Sequence, residues 1–301
     1  MTAITADAES PTLAAESSIR DYWTLLKPGV MALVVFTAAA GMWLAPGPAM
    51  HPFLQLLTVL AIALGSGGGA AINMWYDRDI DARMKRTVKR PVPAGRIAAE
   101  DALVLGITLS IASVALLGLA RNWVAAAWLA FAILFYAVFY TMLLKRRTPQ
   151  NIVIGGAAGA FPAVIGWAAA TPEPALMPWL MFAIVFLWTP PHFWALALYR
   201  HEDYRTAGVP MLPVTAGNRA TRRHIFAYTW AMVAASLTPV LAGAGTLYGV
   251  AAALLGAKFL HGAWQVLTRD EPKLAMRLFG YSILYLFILF GFLIADHLIA
   301  A

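Results

Sequence analysis

Nine stretches of this chain, near residues 26–46, 52–75, 101–119, 122–143, 151–171, 177–199, 224–242, 247–267 and 276–299, are apolar over a length that can cross a membrane. An α-helix needs about 20 such residues to span the hydrocarbon of a bilayer. No other feature constrains the fold as strongly. Backbone amides that meet lipid must bond within their own segment, so the pattern predicts an all-α, polytopic membrane protein with nine transmembrane helices. Composition agrees: 61% of the residues are hydrophobic and 12% charged, and the mean hydropathy is +0.70. A soluble domain carries about twice that share of charge.

Residues 1–20 are polar and acidic, without the basic start and short apolar run of a cleaved signal, and are predicted to be a disordered cytoplasmic tail. Residues 21–301 form the transmembrane domain. The chain has no cysteine, which excludes disulfides, thiolate-bound zinc and thiol nucleophiles. Its net charge of +7 is topological and calls for no nucleic acid. Arg20, Lys27, the block from Arg78 to Arg96, Lys145 to Arg147, Arg200 to Arg223 and Arg269 to Arg277 fall in loops on one side, while Arg121 is nearly alone on the other. That bias places the N-terminus in the cytoplasm and the C-terminus outside, as in a bacterial-type inner membrane.

An internal repeat organises the spans. The segment "RPVPAGRIA" from Arg90 and "LPVTAGNRA" from Leu212 share Pro, Val, Ala, Gly and a final Ala at an offset of 122 residues. The same offset places Asp81 on Asp203 and Asp77 on Tyr199. Two four-helix units follow, about 26–143 and 151–267, with an extra helix at about 276–299. Four spans return a unit to its starting side, so both copies point the same way and their charged loops can face one another.

The first charged stretch is "NMWYDRDID". Asn73, Asp77 and Asp81 recur every four residues, which keeps their oxygens on one helix face. Asp79 points away from that face. Alone, such a cluster reads first as a solvated helix end whose acids pair with Arg78, Arg83 and Lys85. The second copy shifts the balance, because Tyr199 and Asp203 again end an apolar helix. Oxygen donors converging from two halves suit a hard divalent cation, and Mg2+ commonly shares its carboxylates with substrate phosphates. The adjoining "RMKRTVKRPVPAG" carries Arg83, Lys85, Arg86, Lys89 and Arg90, a set able to grip a polyanion beside the metal. Read together, the two stretches predict a diphosphate site.

His192 follows Pro190 and Pro191, which are expected to kink or restart the sixth span. It shares a helix face with Asp203 and lies about 16 Å deeper. Spacing alone leaves two readings open, a functional intramembrane histidine and a core residue bonded to a neighbouring helix. Lys258 and His261 in the eighth span read as buried partners or as side chains reaching toward the interface. The small-residue runs "GSGGGAA" at 65–71 and "GGAAGAFP" at 155–162 suit close helix packing, or space for a flat ligand.

"NMWYDRDID" followed by a basic loop, together with "YRHED" at a second helix end, resembles the UbiA superfamily of intramembrane prenyltransferases, over nearly the whole chain. Within it, "MKRTVKRPVPAGRI", "PPHFWALALYRHEDY" and "AGVPMLPVTAGNRATRRHI" are most similar to members that farnesylate heme. The resemblance implies a nine-helix bundle around a central, lipid-accessible chamber capped by the cytoplasmic loops after the second and sixth helices. It implies Mg2+-dependent transfer of farnesyl from farnesyl diphosphate to a vinyl group of heme B, with water completing heme O. Carried over by position, Asn73, Asp77, Asp81 and Asp203 are the expected metal ligands. Arg86, Arg90 and Lys27 are the expected diphosphate partners, Tyr199 a residue that orients a ligand or faces the developing cation, and His192 a heme contact. Where many relatives have a second Asp four residues before Asp203, this chain has Tyr199. A heme A synthase or an oxidase assembly factor is the protein partner such an activity implies, and membrane lipid is its solvent. Quinone precursors and chlorophyllides are alternative acceptors on the same scaffold. A transporter, the remaining class, should show charge along a through-path, whereas the acids here collect at one end.

Overall fold

The computed structural model describes residues 17–48 and 50–300. Among these, helices account for every span, in the order α1 (Ile19–Leu25), α2 (Pro28–Trp43), α3 (Pro52–Tyr76), α4 (Arg78–Asp81), α5 (Ala99–Ala120) and α6 (Trp123–Leu134), which runs on as a π-helix over Phe135–Leu144. There follow α7 (Asn151–Ala170), α8 (Met177–Tyr199), α9 (His201–Thr206), α10 (Leu212–Leu237) with a 3-10 turn at Thr238–Ala242, α11 (Thr246–Thr268) and α12 (Pro272–Ala300). Eight of these helices, each with any irregular turn that continues it, are long and apolar enough to cross a membrane, and α1 with α2 makes a ninth, broken span bent by 53°. The protein is a polytopic all-α membrane protein.

The bend sits at Lys27, the one non-glycine residue with positive φ (52°) among those described. Pro28 then begins α2 with its ring in the first turn, where a missing N–H costs nothing. The helix before the bend was not expected. Residues 18–20 read from sequence as tail, yet Ser18 caps α1 in a reciprocal box. Its hydroxyl accepts from the Asp21 N–H and the Asp21 carboxylate accepts from the Ser18 N–H, both at 3.2 Å. The rest of that predicted tail, residues 1–16, lies outside the described residues.

Two further elements depart from expectation. The helix of the seventh span starts just after Gly217 (φ 81°, ψ 165°) rather than near 224, and a kink at that glycine separates it from a short helical segment that begins at Leu212. In α8, Pro190 and Pro191 do not break the helix, which runs unbroken from Met177 to Tyr199. Both prolines are buried among neighbouring helices, and such packing tolerates the missing backbone donors.

Element order from α2 through α6 is repeated from α7 through α11: two spans, a short helix at the charged end, then two more spans. The first spans of the halves, α2 and α7, touch backbone to backbone. A Cβ on Gly41 would collide with the Ala163 carbonyl oxygen, and one on Gly166 with that of Ala38. Likewise α3 approaches α5 so closely that a Cβ on Gly68 would lie 2.8 Å from the Gly106 carbonyl oxygen. Small residues therefore serve packing here. α12 closes the bundle by packing on α2, α8 and α11.

Candidate active site

Asn73, Asp77 and Asp81 lie on one continuous helical ladder even though α3 ends at Tyr76. The Asp77 N–H donates to the Asn73 carbonyl at 2.9 Å and the Asp81 N–H to the Asp77 carbonyl at 2.8 Å, so helical bonding carries on through Asp77 (φ −85°, ψ 5°) from α3 into α4. All three side chains are consequently buried, Asp77 at 0% and Asp81 at 1% exposure. Asp79, half a turn away, is 51% exposed, as its phase predicts.

Buried carboxylates require cations. Lys145 pairs with Asp77 Oδ2, and Arg146 lies 3.5 Å from its other oxygen. Arg90 reaches Asp81 Oδ2 at 2.5 Å. Lys27 donates to Asn73 Oδ1 at 2.6 Å, while Asn73 Nδ2 donates to Asp77 Oδ2 (2.8 Å) and to the Thr141 hydroxyl (3.0 Å). Arg146 also forks onto both oxygens of Asp79 at 2.7 Å, which holds that carboxyl below its ordinary range.

The π-helix sets this geometry. Its wider turn bonds the Lys145 N–H to the Tyr140 carbonyl at 2.9 Å, five residues back, and frees Thr141 Oγ1 to donate to the Tyr136 carbonyl at 2.8 Å. Lys145, Thr141 and Tyr136 thereby face α3 together; the Tyr136 hydroxyl is 3.5 Å from Lys27 Nζ. Tyr140 stacks on Tyr136 with ring centroids 5.8 Å apart.

In the second half Arg200 (φ −107°, ψ 29°) ends α8 as Asp77 ends α3, and α9 restarts at His201. The ladder is looser there: the Arg200 N–H donates to the Leu196 carbonyl at 2.9 Å and the Tyr204 N–H to the Arg200 carbonyl at 3.4 Å. Tyr199 is 41% exposed and lies under the Arg200 guanidinium at 5.2 Å. Asp203 is buried, and its Oδ2 has no hydrogen-bond partner. The two charged segments do meet: Ile80 and Met84 share an apolar cluster with Tyr204, Ala207, Val209 and Met211, joined by Ile152 and Ala197.

Two expected ligand contacts look different in place. Arg86 is exposed, with no ion pair among the described residues, and can reach a ligand only through its flexible stem. His192 is packed as a core residue. Trp188 and Phe279 stack on its two faces, with centroids at 4.1 and 4.5 Å, and its Nδ1 is 2.6 Å from Ser282 Oγ. Only Nε2 lacks a protein partner.

Among the described residues no three His, Asp or Glu side chains gather closely enough to hold a metal by themselves. Asp77 and Asn73, both expected ligands, spend their oxygens on Lys145, Arg146 and Lys27. Asp81 Oδ1 and Asp203 Oδ2 remain buried and unpartnered, one from each half. Orphaned carboxylate oxygens are costly without a cation or water, so this donor set fits a hard, oxygen-seeking ion. Asn151, fully buried at the start of α7, adds a third unpartnered oxygen, Oδ1.

Lys145, Arg146, Thr141 and Asn151 were not singled out from sequence. Lys145 and Arg146 appeared only as part of a basic loop, and their ion pairs span 67 to 69 residues. The lone signal was their place at the charged end of a span.

Residues 34–293 match the model of the UbiA prenyltransferase family. Over 291 residues the chain is 56% identical to the protoheme IX farnesyltransferase of Parvibaculum lavamentivorans, covering 94% of this chain and 90% of that protein. It is 53% identical to the protein of the same name from Paracoccus denitrificans, over 94% and 95% of the two chains. A UbiA homologue from Archaeoglobus fulgidus bound to GPP and Mg2+ superposes with a TM-score of 0.71 at 18% identity, over 92% of this chain and 99% of that one. Digeranylgeranylglyceryl phosphate synthase gives 0.76 at 18% identity, over 93% and 98%.

Proposed function

This chain belongs to the UbiA prenyltransferase family, and we propose that it transfers a farnesyl group from farnesyl diphosphate to a vinyl group of heme B, the reaction that yields heme O. The observation that carries the reading is the arrangement of Lys27, Arg90, Lys145 and Arg146 around Asn73, Asp77 and Asp81 at the end of an apolar bundle. Such a rim suits a diphosphate head, and lipid-facing walls suit the prenyl tail. The names of the full-length relatives support the acceptor.

Asp81 and Asp203, with Asp77 and Asn73, are the residues that would hold Mg2+. Bound there, the ion would neutralise charge on the departing diphosphate. A homologue of the same fold, from A. fulgidus, was solved with GPP and Mg2+ bound, which supports a role for the ion. Lys27 and Arg90 bind the diphosphate, joined by Lys145, and Arg86 closes over it from the exposed loop. These cations rest on Asp77, Asp81 and Asn73 until the polyanion arrives, so they are positioned in advance.

Heterolysis of the allylic C–O bond sends its electron pair to the diphosphate. The vinyl π pair then forms the new C–C bond, and the resulting cation takes up the oxygen of water, which releases a proton. Water must be kept from the first cation and admitted to the second, and the apolar walls supply the first condition. His192 offers the porphyrin Nε2 alone, since its ring faces and Nδ1 are occupied. The loops that carry the acids face the cytoplasm of a bacterial-type inner membrane, and the C-terminus lies outside.

Reconstituted protein supplied with heme B, farnesyl diphosphate and Mg2+ should produce heme O, detected by mass spectrometry. Prenylation of a quinone precursor with no product from heme would reassign the acceptor.

A further inference from the structure

One charged side chain faces lipid at a depth where the transferase has no use for it. Lys258 is the thirteenth residue of α11 (Thr246–Thr268), about 18 Å from one end of the helix and 15 Å from the other. It is exposed on the outside of the bundle, beside exposed Ala253, Leu254, Ala257, His261 and Trp264. Intramembrane lysines almost always face a bundle interior or a water-filled cavity and pair there. This one does neither: no carboxylate among the described residues forms an ion pair with it. Nor does it reach for the interface. Its ammonium lies over the Tyr281 ring of α12, 4.8 Å from the centroid, and the Tyr281 hydroxyl is anchored to the Leu255 carbonyl at 2.9 Å. A lysine stem is too short to leave the middle of a hydrocarbon layer about 30 Å thick.

We propose that this face of α11, with the adjoining edge of α12, docks a transmembrane helix of a second membrane protein that carries an aspartate or glutamate at mid-bilayer depth. The charge calls for a carboxylate, and its depth for one presented within the membrane. Ala253 and Ala257, one turn apart, let a partner backbone come close, as small residues do at helix interfaces in lipid. A second copy of this chain does not meet the requirement. The one acid inside its spans away from the charged rim, Asp296, is buried and accepts from the Gly245 and Tyr248 N–H groups. Lipid phosphates sit at the surface rather than at this depth. The inference is independent of which acceptor the transferase uses.

The chain has no cysteine, so Leu241→Cys, exposed in the turn before α11, provides a unique labelling position clear of the face. The full-length protein is labelled there and placed in phosphatidylcholine vesicles with a leucine-rich spanning peptide that carries one central glutamate and an acceptor dye. Association about threefold stronger than that of the same peptide with glutamine is expected, the size of a typical polar contact between helices in lipid. Lys258→Met should remove the difference, and Lys258→Glu should transfer the preference to a lysine-bearing peptide. Heme O formation by both variants should match the parent and report an intact fold. Equal association of the glutamate and glutamine peptides with the parent overturns the proposal, whatever the variants do. Energy transfer between two labelled copies that depends on Lys258, or quenching by spin-labelled phosphatidylglycerol that does, overturns it in favour of self-association or an anionic lipid.

Discussion

Lys145 forms an ion pair with Asp77 across 68 residues of sequence, joining the end of a π-helix to the end of α3 at a point where Asp77 has no exposed surface. Neither residue would be stable there alone. The pair couples fold and chemistry, since the cation that stabilises the acid is also positioned to receive a polyanion.

Removing the cation should therefore cost more stability than removing the acid's charge. Lys145→Met leaves a buried carboxylate dependent on a distant Arg146, and losses of about 3–5 kcal/mol are usual when a buried pair loses one member. Asp77→Asn keeps the shape and one acceptor and should cost less. Unfolding in mixed micelles, with the double variant completing the cycle, measures both. Equal losses would show that the pair is solvated.

Asp81→Asn and Asp203→Asn should each lower heme O formation by about 100-fold or more, the scale of losing one electrostatic contact to a developing charge. Stability should hardly change in Asp203→Asn, whose carboxylate forms no ion pair among the described residues, and should fall in Asp81→Asn, which loosens the pair with Arg90. Raising Mg2+ should recover part of the activity of Asp203→Asn if this residue shares the ion. Normal turnover in either variant would remove the carboxylate from the metal site.

Deleting Val138, an exposed residue within the π-helix, should restore α-helical winding after α6 and turn Lys145 by about 100° away from Asp77. Membrane insertion should survive, because the span stays long and apolar. Activity should be lost. A deletion variant with undiminished turnover would show that the wide turn is incidental.

Gly41→Ala and Gly166→Ala should each destabilise the bundle by about 1–3 kcal/mol, the usual cost of overpacking, since the added methyl meets a backbone carbonyl that cannot move aside. Gly159→Ala, with nothing within 4 Å of a new Cβ, is the matched control and should be neutral. Comparable melting of all three would place α2 and α7 further apart.

How much was legible in advance depends on the range of the interaction. Spans follow from the length of local apolar runs, and the stripe of Asn73, Asp77 and Asp81 follows from helical phase, which the unbroken ladder preserves. Tyr199 and Asp203, spaced in the same way as Asp77 and Asp81, differ in exposure at 41% and 8%, and the non-helical Arg200 between them is not visible in spacing. His192 resolved toward packing because its neighbours, Trp188 and Phe279, come from two helices.

The amino-acid sequence alone determined the membrane class, the positions of the spans, the side on which charge collects and the acids that line it, since each is a property of a short run obeying one helical period. Only the tertiary structure decided which cation stabilises which acid, that Lys27 turns in through a left-handed residue, and that a π-helix aims Lys145 at Asp77. Those choices depend on groups distant in sequence sharing a site of low dielectric, where an unpaired charge is too costly to persist.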